Sequence, residues 1–148
     1  MDNIKETVKD FLGKFKKKED KKLEEIVFDK DIVIEDFIFY YNNKDGDNTN
    51  SCIYLNSSEI SLPLKIRSVK AGDKMQVKNL NGNKKISDIF IDEKVPKAKR
   101  STYPIVVDAK NTVLWVPNLK KSQFSKDKSE KYDIIIKLFI CKDRKDMN

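Results

Sequence analysis

The sequence contains no histidine. That removes the commonest general base near neutral pH and the commonest metal ligand. No serine then has a base of the usual kind, and catalysis by this chain alone is not expected. Cysteine is nearly absent: Cys52 and Cys141 lie far apart and match no metal-binding spacing. Both sit in apolar runs, "SCIYL" and "KLFICK", where a cysteine behaves as a small hydrophobe. They are expected to be free and buried, which suits a reducing cytoplasm. The few glycines, Gly13, Gly46, Gly72 and Gly82, build neither a phosphate-cradling loop nor a dinucleotide fingerprint. No long apolar run is present, and charges are frequent in the first 25 residues, so neither a signal peptide nor a membrane partner is expected. Arginine is scarce as well. Only Arg67, Arg100 and Arg144 stand among 31 basic residues, a lysine skew that makes the net charge of +7 weak evidence by itself.

The position of that charge is more telling. Between Lys65 and Arg100 lie 11 basic and 4 acidic residues, a surplus that equals the whole net charge of +7. The rest of the chain is neutral. Such clustering marks a binding stripe for an anionic partner, with a solvated lysine face as the bland alternative. The candidate set is Lys65, Arg67, Lys70, Lys84, Lys85, Lys97, Lys99 and Arg100.

A length of 148 residues suits one domain plus a small appendage. Ile4, Val8, Phe11, Leu12 and Phe15 recur at helical spacing, so residues 1–24 read as an amphipathic helix and a charged linker. Such a start suggests a piece of a longer protein. Residues 25–142 read as the main domain and 143–148 as a tail. "EIVFDKD" is a strand ending in a turn, and "IVIEDFIFYYNN" continues as strand. "KDGDNT" supplies an Asp-Gly hairpin turn, after which "SCIYL" returns as the partner strand. The same loop resembles a calcium site only loosely, because its glycine is misplaced and Asn56 stands where a closing glutamate belongs. "LPLKIRSV" alternates Leu62, Leu64 and Ile66 with Pro63, Lys65 and Arg67, a half-buried strand with its basic side outward. "KAGDKM" is a turn and "MQVKNL" a short strand. Asn83 is expected to cap a helix bearing Ile86, Ile89 and Phe90. Val95 before Pro96 ends it, and Pro96 opens a second short helix, "PKAKRS". "YPIVVD" and "NTVLWVP" form a hairpin, and "YDIIIKLFI" is a last strand. The fold class is α+β: a small, mostly antiparallel β-sandwich-like domain with inserted short helices.

Other chemistry can be weighed against duller readings. Asp88 and Asp92 share a helix face and could hold magnesium for a small hydrolase, but local ion pairs with Lys84, Lys85 and Lys94 explain them better. Trp115 reads as core, and Tyr103 as the better candidate for an exposed ring. Helix starts near the lysines would add amide donors for phosphate.

The order of these residues resembles the C-terminal domain of bacterial tRNA(Ile)-lysidine synthetase. The likeness runs from Leu62 to Gln123 through "PLKIRSVKAGDKM", "GNKKISDIFIDEKVPKAKRSTYPIVVD" and "VLWVPNLKKSQ". It is carried by Arg67, the Gly72-Asp73 turn, Gly82, Lys84, Lys85, Asp88 and Phe90, then by Lys94-Val95-Pro96, Arg100, Pro104, Val106 and Trp115-Val116. The chain departs from that pattern at Ala71, where proline is usual, at Asn118 in place of glycine, and at Lys120 in place of arginine. The first two departures are expected to loosen turns, and the third loses a bidentate fork.

The resemblance implies a β/β/α sandwich and a cytoplasmic parent enzyme. That enzyme uses ATP, with Mg implied, to join lysine to the wobble cytidine of a tRNA(Ile). Its Ser-Gly-Gly-x-Asp-Ser loop is missing here, so this chain is expected to hold no cofactor and to be non-catalytic. Its implied partners are the acceptor stem of tRNA(Ile) and the N-terminal catalytic domain of the same polypeptide, with a homodimer left open. The rival expectation is a protein-interaction domain that docks on the rest of the enzyme without touching tRNA.

Overall fold

The computed structural model describes residues 24–42 and 46–141. The expected N-terminal helix, most of the linker and the tail lie outside the described residues. The chain runs β1 (Ile26–Phe28), β2 (Ile32–Ile34), β3 (Phe37–Tyr41), β4 (Cys52–Leu55), a 3₁₀ turn (Ser57–Glu59), β5 (Leu64–Ser68), β6 (Lys74–Gln76) and β7 (Asn83–Lys85). It continues with α1 (Ile86–Asp92), α2 (Lys97–Arg100), β8 (Pro104–Val107), β9 (Val113–Val116), β10 (Lys120–Lys121) and β11 (Ile134–Ile140). All the strand pairings are antiparallel. The α+β class with few, short helices is as expected. No described helix is long and apolar enough to cross a membrane.

Strand order is β1-β5-β8-β9-β10 in one sheet and β2-β3-β11-β4 in another, with β6-β7 a separate ribbon. Two expectations about the second sheet fail. "IVIEDFIFYY" is two strands, because Glu35 turns the chain with φ 52 and sets Ile34 opposite Phe37. The strands on either side of "KDGDNT" do not pair with each other. β11 lies between them, bonded to β3 on one side and β4 on the other. The reason is that β11 is the longest and most apolar strand. It alternates buried Ile134, Ile136 and Leu138 with more exposed residues, and a central position uses both of its edges. Asp47 instead folds the loop, accepting bonds from the Thr49 N–H at 2.8 Å and from the Thr49 hydroxyl.

The first sheet lies between two hydrophobic clusters, divided by strand alternation in β5 and β8 and by a bulge at Leu114 in β9. Phe28, Leu64, Ile66, Val106, Leu114 and Trp115 face Ile34, Phe39, Ile53, Leu55, Ile134, Ile136 and Leu138 of the second sheet. Trp115 is fully buried there, as expected of core, and its Nε1–H donates to the Asn50 carbonyl at 3.2 Å. On its other side Ile105, Val107, Val113 and Val116 pack with Met75 of the ribbon, the following Val77, and Ile86, Ile89, Phe90 and Val95 of the helical segment. A seven-residue helix is too short to persist through propensity alone. Burying a large apolar side chain contributes about 1.5–3 kcal/mol, so Ile86, Ile89 and Phe90 hold α1 by docking it.

The end of α1 is set by hydrogen bonding before the proline acts. Lys94 takes φ 59, its N–H donates to Ile91 O at 3.1 Å, and the Val95 N–H donates to Phe90 O at 2.9 Å. This is a Schellman closure with Val95 and Phe90 in apolar company. The start differs from expectation. Asn83 belongs to β7, and Lys85 is the cap residue, without a side-chain capping bond. Of the two cysteines, both are free, but only Cys52 is buried; Cys141 is half-exposed near the end of β11.

Candidate nucleic-acid interface

The site is built on the turn after β5. Residues Lys70 to Asp73 close a tight turn, with the Asp73 N–H donating to Lys70 O at 3.0 Å and Gly72 at φ 86. That φ is where a side chain is strained, so glycine is required, whereas Ala71 serves in the position the resemblance gives to proline. The Asp73 carboxylate then accepts from the Lys70 N–H at 2.6 Å and from both Arg67 terminal nitrogens, at 2.8 and 3.1 Å. Arg67 also donates to Ser68 O at 2.9 Å. Its side chain is 2% exposed. The expectation that Arg67 faces outward is therefore corrected. It is a buried cation whose bidentate fork braces the turn. Burial works to raise the Asp73 carboxyl, but bonds and charge from Arg67 and Lys70 outweigh it and hold the group below the usual carboxylate range.

Register explains why adjacent lysines diverge. In the β6–β7 ribbon Met75 pairs with Lys84 and Lys74 pairs with Lys85. Met75 points into the cap cluster. Lys84 shares that side, where it forms an ion pair with Asp92 of α1 that raises its ammonium pKa. Lys85 lies on the outer side with Lys74. The Ile86 N–H, donating to Asp73 O at 3.0 Å, ties the start of α1 to the same turn. After α1, Arg100 reaches back and its Nε–H donates to Val95 O at 2.9 Å.

These connections bring Lys70, Lys85, Lys97 and Arg100 around one open cleft of about 400 Å³, with Phe90 and Asp73 in its lining. Asp73, the lining carboxylate, is already committed to Arg67. Lys65 adjoins the rim: its Nζ lies 3.4 Å from Glu25, which Lys70 also approaches at 3.7 Å. The bond and charge of Lys65 hold the Glu25 carboxyl low. Lys99 lines a different cleft, with Glu35, Asp36 and Glu93. Of the eight basic residues singled out from the sequence, four therefore meet, Lys65 borders them, Lys84 and Lys99 face elsewhere, and Arg67 lies beneath.

Other candidates resolve toward the duller reading. Asp92 forms the local ion pair with Lys84. Among the described residues no group of three or more acids or cysteines could hold a metal ion. Tyr103 is not an exposed ring. It packs against Phe37 and Phe90 with centroids 5.2 Å away in each case, and its hydroxyl donates to Pro117 O at 2.7 Å. Burial raises its pKa well above the usual value. Asn118 holds φ 70 with its N–H on Asn50 O at 2.9 Å and its Oδ1 accepting from Ser51 at 3.1 Å, so this turn is firm and not loosened. With only seven and four residues, α1 and α2 offer little dipole at their starts.

The sequence reading passed over a second lysine group, Lys78, Lys120, Lys121 and Lys126, around another cleft of about 390 Å³. It is assembled when Val77 bridges Ser122 and the Lys78 N–H donates to Lys121 O at 3.0 Å. No local pattern announces a contact across more than forty residues. Lys74, outside the candidate set, is exposed on the same ribbon opposite Lys85.

Comparison with known proteins agrees with the fold. Residues 64–136 match the family model described as the TilS substrate C-terminal domain. The tRNA(Ile)-lysidine synthase of Bacillus cereus (strain ATCC 14579) is 48% identical over 93 residues, covering 60% of this chain and 20% of that protein. That of Bacillus subtilis (strain 168) is 41% identical over 85 residues, covering 57% and 18%. A solved structure described as a TilS C-terminal domain superposes with a TM-score of 0.69 at 28% identity, covering 79% of this chain and 98% of that one. The chain spans about a fifth of the length of these curated relatives. Together, the matched segment, the relatives and the shared fold make this chain a member of the tRNA(Ile)-lysidine synthase C-terminal domain family through residues 64–136.

Proposed function

We propose that this domain grips tRNA for a lysidine-forming enzyme of which it is one part. The observation that carries the reading is the convergence of Lys70, Lys85, Lys97 and Arg100 on one cleft whose lining carboxylate is spoken for. Side chains read the deep, narrow major groove of A-form RNA poorly, so a stem is held through phosphates, 2′-hydroxyls and shape. Lysine suits that task as a point charge. The acceptor stem of tRNA(Ile) is the expected ligand. Chemistry at the wobble cytidine, with ATP and Mg, belongs to an N-terminal catalytic domain. Arg67 acts here by holding the Lys70–Asp73 turn under the cations. The β/β/α layering that the resemblance implies is supported by the two clusters on opposite sides of the first sheet.

Binding of the chain to transcribed tRNA at 50 and 200 mM salt tests this. Each phosphate contact contributes roughly 0.7–0.9 to the log–log salt slope. Lys85→Ala with Lys97→Ala should weaken binding and flatten the slope by close to two such increments. Absence of salt-sensitive binding by the unaltered chain would overturn the reading.

A second reading, docking on the rest of the enzyme, is favoured by one observation. Register aligns Val33, Ile38 and Phe139 across the second sheet, and Val33 and Phe139 are 66% and 56% exposed. An apolar row of this kind suits a protein surface. Val33→Lys with Phe139→Lys should leave tRNA binding by the isolated chain intact.

A further inference from the structure

The outer side of the β6–β7 ribbon carries an electrostatic anomaly. Lys74 and Lys85 are directly opposed across the strands, and both are exposed. Like charges in that position repel. Neither has a carboxylate partner among the described ion pairs. From Lys74 the chain runs extended through Val77 to Lys78, about 13 Å at strand rise. There it meets the second lysine group. In that group Lys78 pairs with Asp127 at 2.7 Å, Lys126 with Glu59 at 2.7 Å and Lys120 with Glu93 at 3.8 Å. Lys121 is the exception. It is half-buried at the sheet edge, and the nearby Asp47 and Asp127 are already engaged by Thr49 and Lys78. Burial pushes its ammonium pKa down, as for a cation that lacks its counterion. Asn48, Asn50 and Asn79 line the same cleft and can add amide donors. The Tyr54 hydroxyl beside them is buried without a hydrogen-bond partner.

We propose that the second cleft binds a phosphate group through Lys121, and that the Lys74–Lys85 pair and Lys78 lead a polynucleotide backbone to it from the first cleft. The inference rests on the tRNA reading and extends it from one anchoring point to two. An ammonium plus amide donors is phosphate chemistry in general, and a free phosphate could satisfy it as well as a phosphodiester. The lysine repulsion along the ribbon favours the chain-like ligand, since one anion cannot neutralise both places.

Lys121→Met keeps the aliphatic stem and removes the charge. It should flatten the tRNA salt slope by about 0.7–0.9, a loss of roughly three-fold in affinity at 200 mM relative to 50 mM salt that the unaltered protein shows and the variant lacks. Thermal stability should be unchanged or higher, because an uncompensated cation has gone. Lys74→Ala should flatten the slope similarly, and the two effects should add. An unchanged slope in Lys121→Met while Lys85→Ala still flattens it would overturn the second site and leave the first intact. Absence of salt-sensitive binding by the unaltered chain would count against the tRNA reading itself. Thermal stabilisation by 10 mM inorganic phosphate that depends on Lys121, with tRNA binding unaffected, would make this a small-anion site and overturn the track. If Lys121→Met fails to fold, Lys121→Gln serves as the second variant under the same criteria.

Discussion

The two hydrophobic clusters share a sheet and differ in almost everything else. The sandwich cluster joins long-range strands and buries Phe28, Phe39 and Trp115. The cap cluster is assembled from a three-residue ribbon and two short helices, none able to persist alone. Yet the segment from Lys65 to Arg100, most of which builds this cap, carries the whole cationic surplus of the chain. Binding chemistry therefore sits on the part with the least intrinsic stability. It is held in place from below, by apolar docking and by the buried Arg67–Asp73 fork. The lesson is that a lysine cluster needs a scaffold whose rigidity is borrowed from its neighbour.

Large-to-small changes in each core should separate the two most sharply. Phe39→Ala and Phe90→Ala are each expected to cost about 3–5 kcal/mol by denaturant unfolding. Hydrogen exchange distinguishes them. Phe90→Ala should expose cap amides between Asp73 and Tyr103 while the sandwich stays protected, whereas Phe39→Ala should lower protection in both. Equal loss throughout the molecule in both variants would break the distinction.

Removing one partner of the fork comes next. Asp73→Asn strands a buried guanidinium and should cost about 3 kcal/mol, with Arg67→Met plus Asp73→Leu recovering most of it. The carboxyl is held low in the folded protein. Its contribution is thus complete above about pH 4, the unfolded value, and is lost as pH falls through the lower folded value. Stability of the unaltered protein should drop in that acid range, and Asp73→Asn should lack that part of the drop.

Smaller effects sharpen the surface argument. Lys85→Ala should flatten the tRNA salt slope by about 0.7–0.9, while Lys84→Ala, next in sequence but turned toward Asp92, should change it by less than half of that. Equal effects would mean that register does not select the binding cations. Asn118→Gly should alter stability by no more than about 0.5 kcal/mol, since relief at φ 70 is offset by loss of the Ser51 contact.

Local patterns were legible wherever one strand or helix face decides burial. The β8–β9 hairpin, Trp115 in the core, β11, and the Ile86, Ile89 and Phe90 stripe all follow from periodicity and turn residues. Arg67 misled because strand alternation correctly separated it from Leu64 and Ile66, but the far face of that sheet is covered by the cap rather than by water. The Asp-Gly loop misled because a turn signal cannot reveal a strand from the far end of the chain entering between its arms. The lysines were found as a set, but their division among clefts depended on β6–β7 register and on carboxylates distant in sequence.

Residue order by itself determined the α+β class, the family likeness and the confinement of positive charge to one segment, since each is a property of neighbours along the chain. Tertiary structure alone decided that Arg67 braces while Lys85 is presented, that β11 separates β3 from β4, and that Lys121 lies half-buried at a second cleft. Those outcomes depend on strand pairings and ion partners tens of residues apart, where burial and Coulomb attraction act through space.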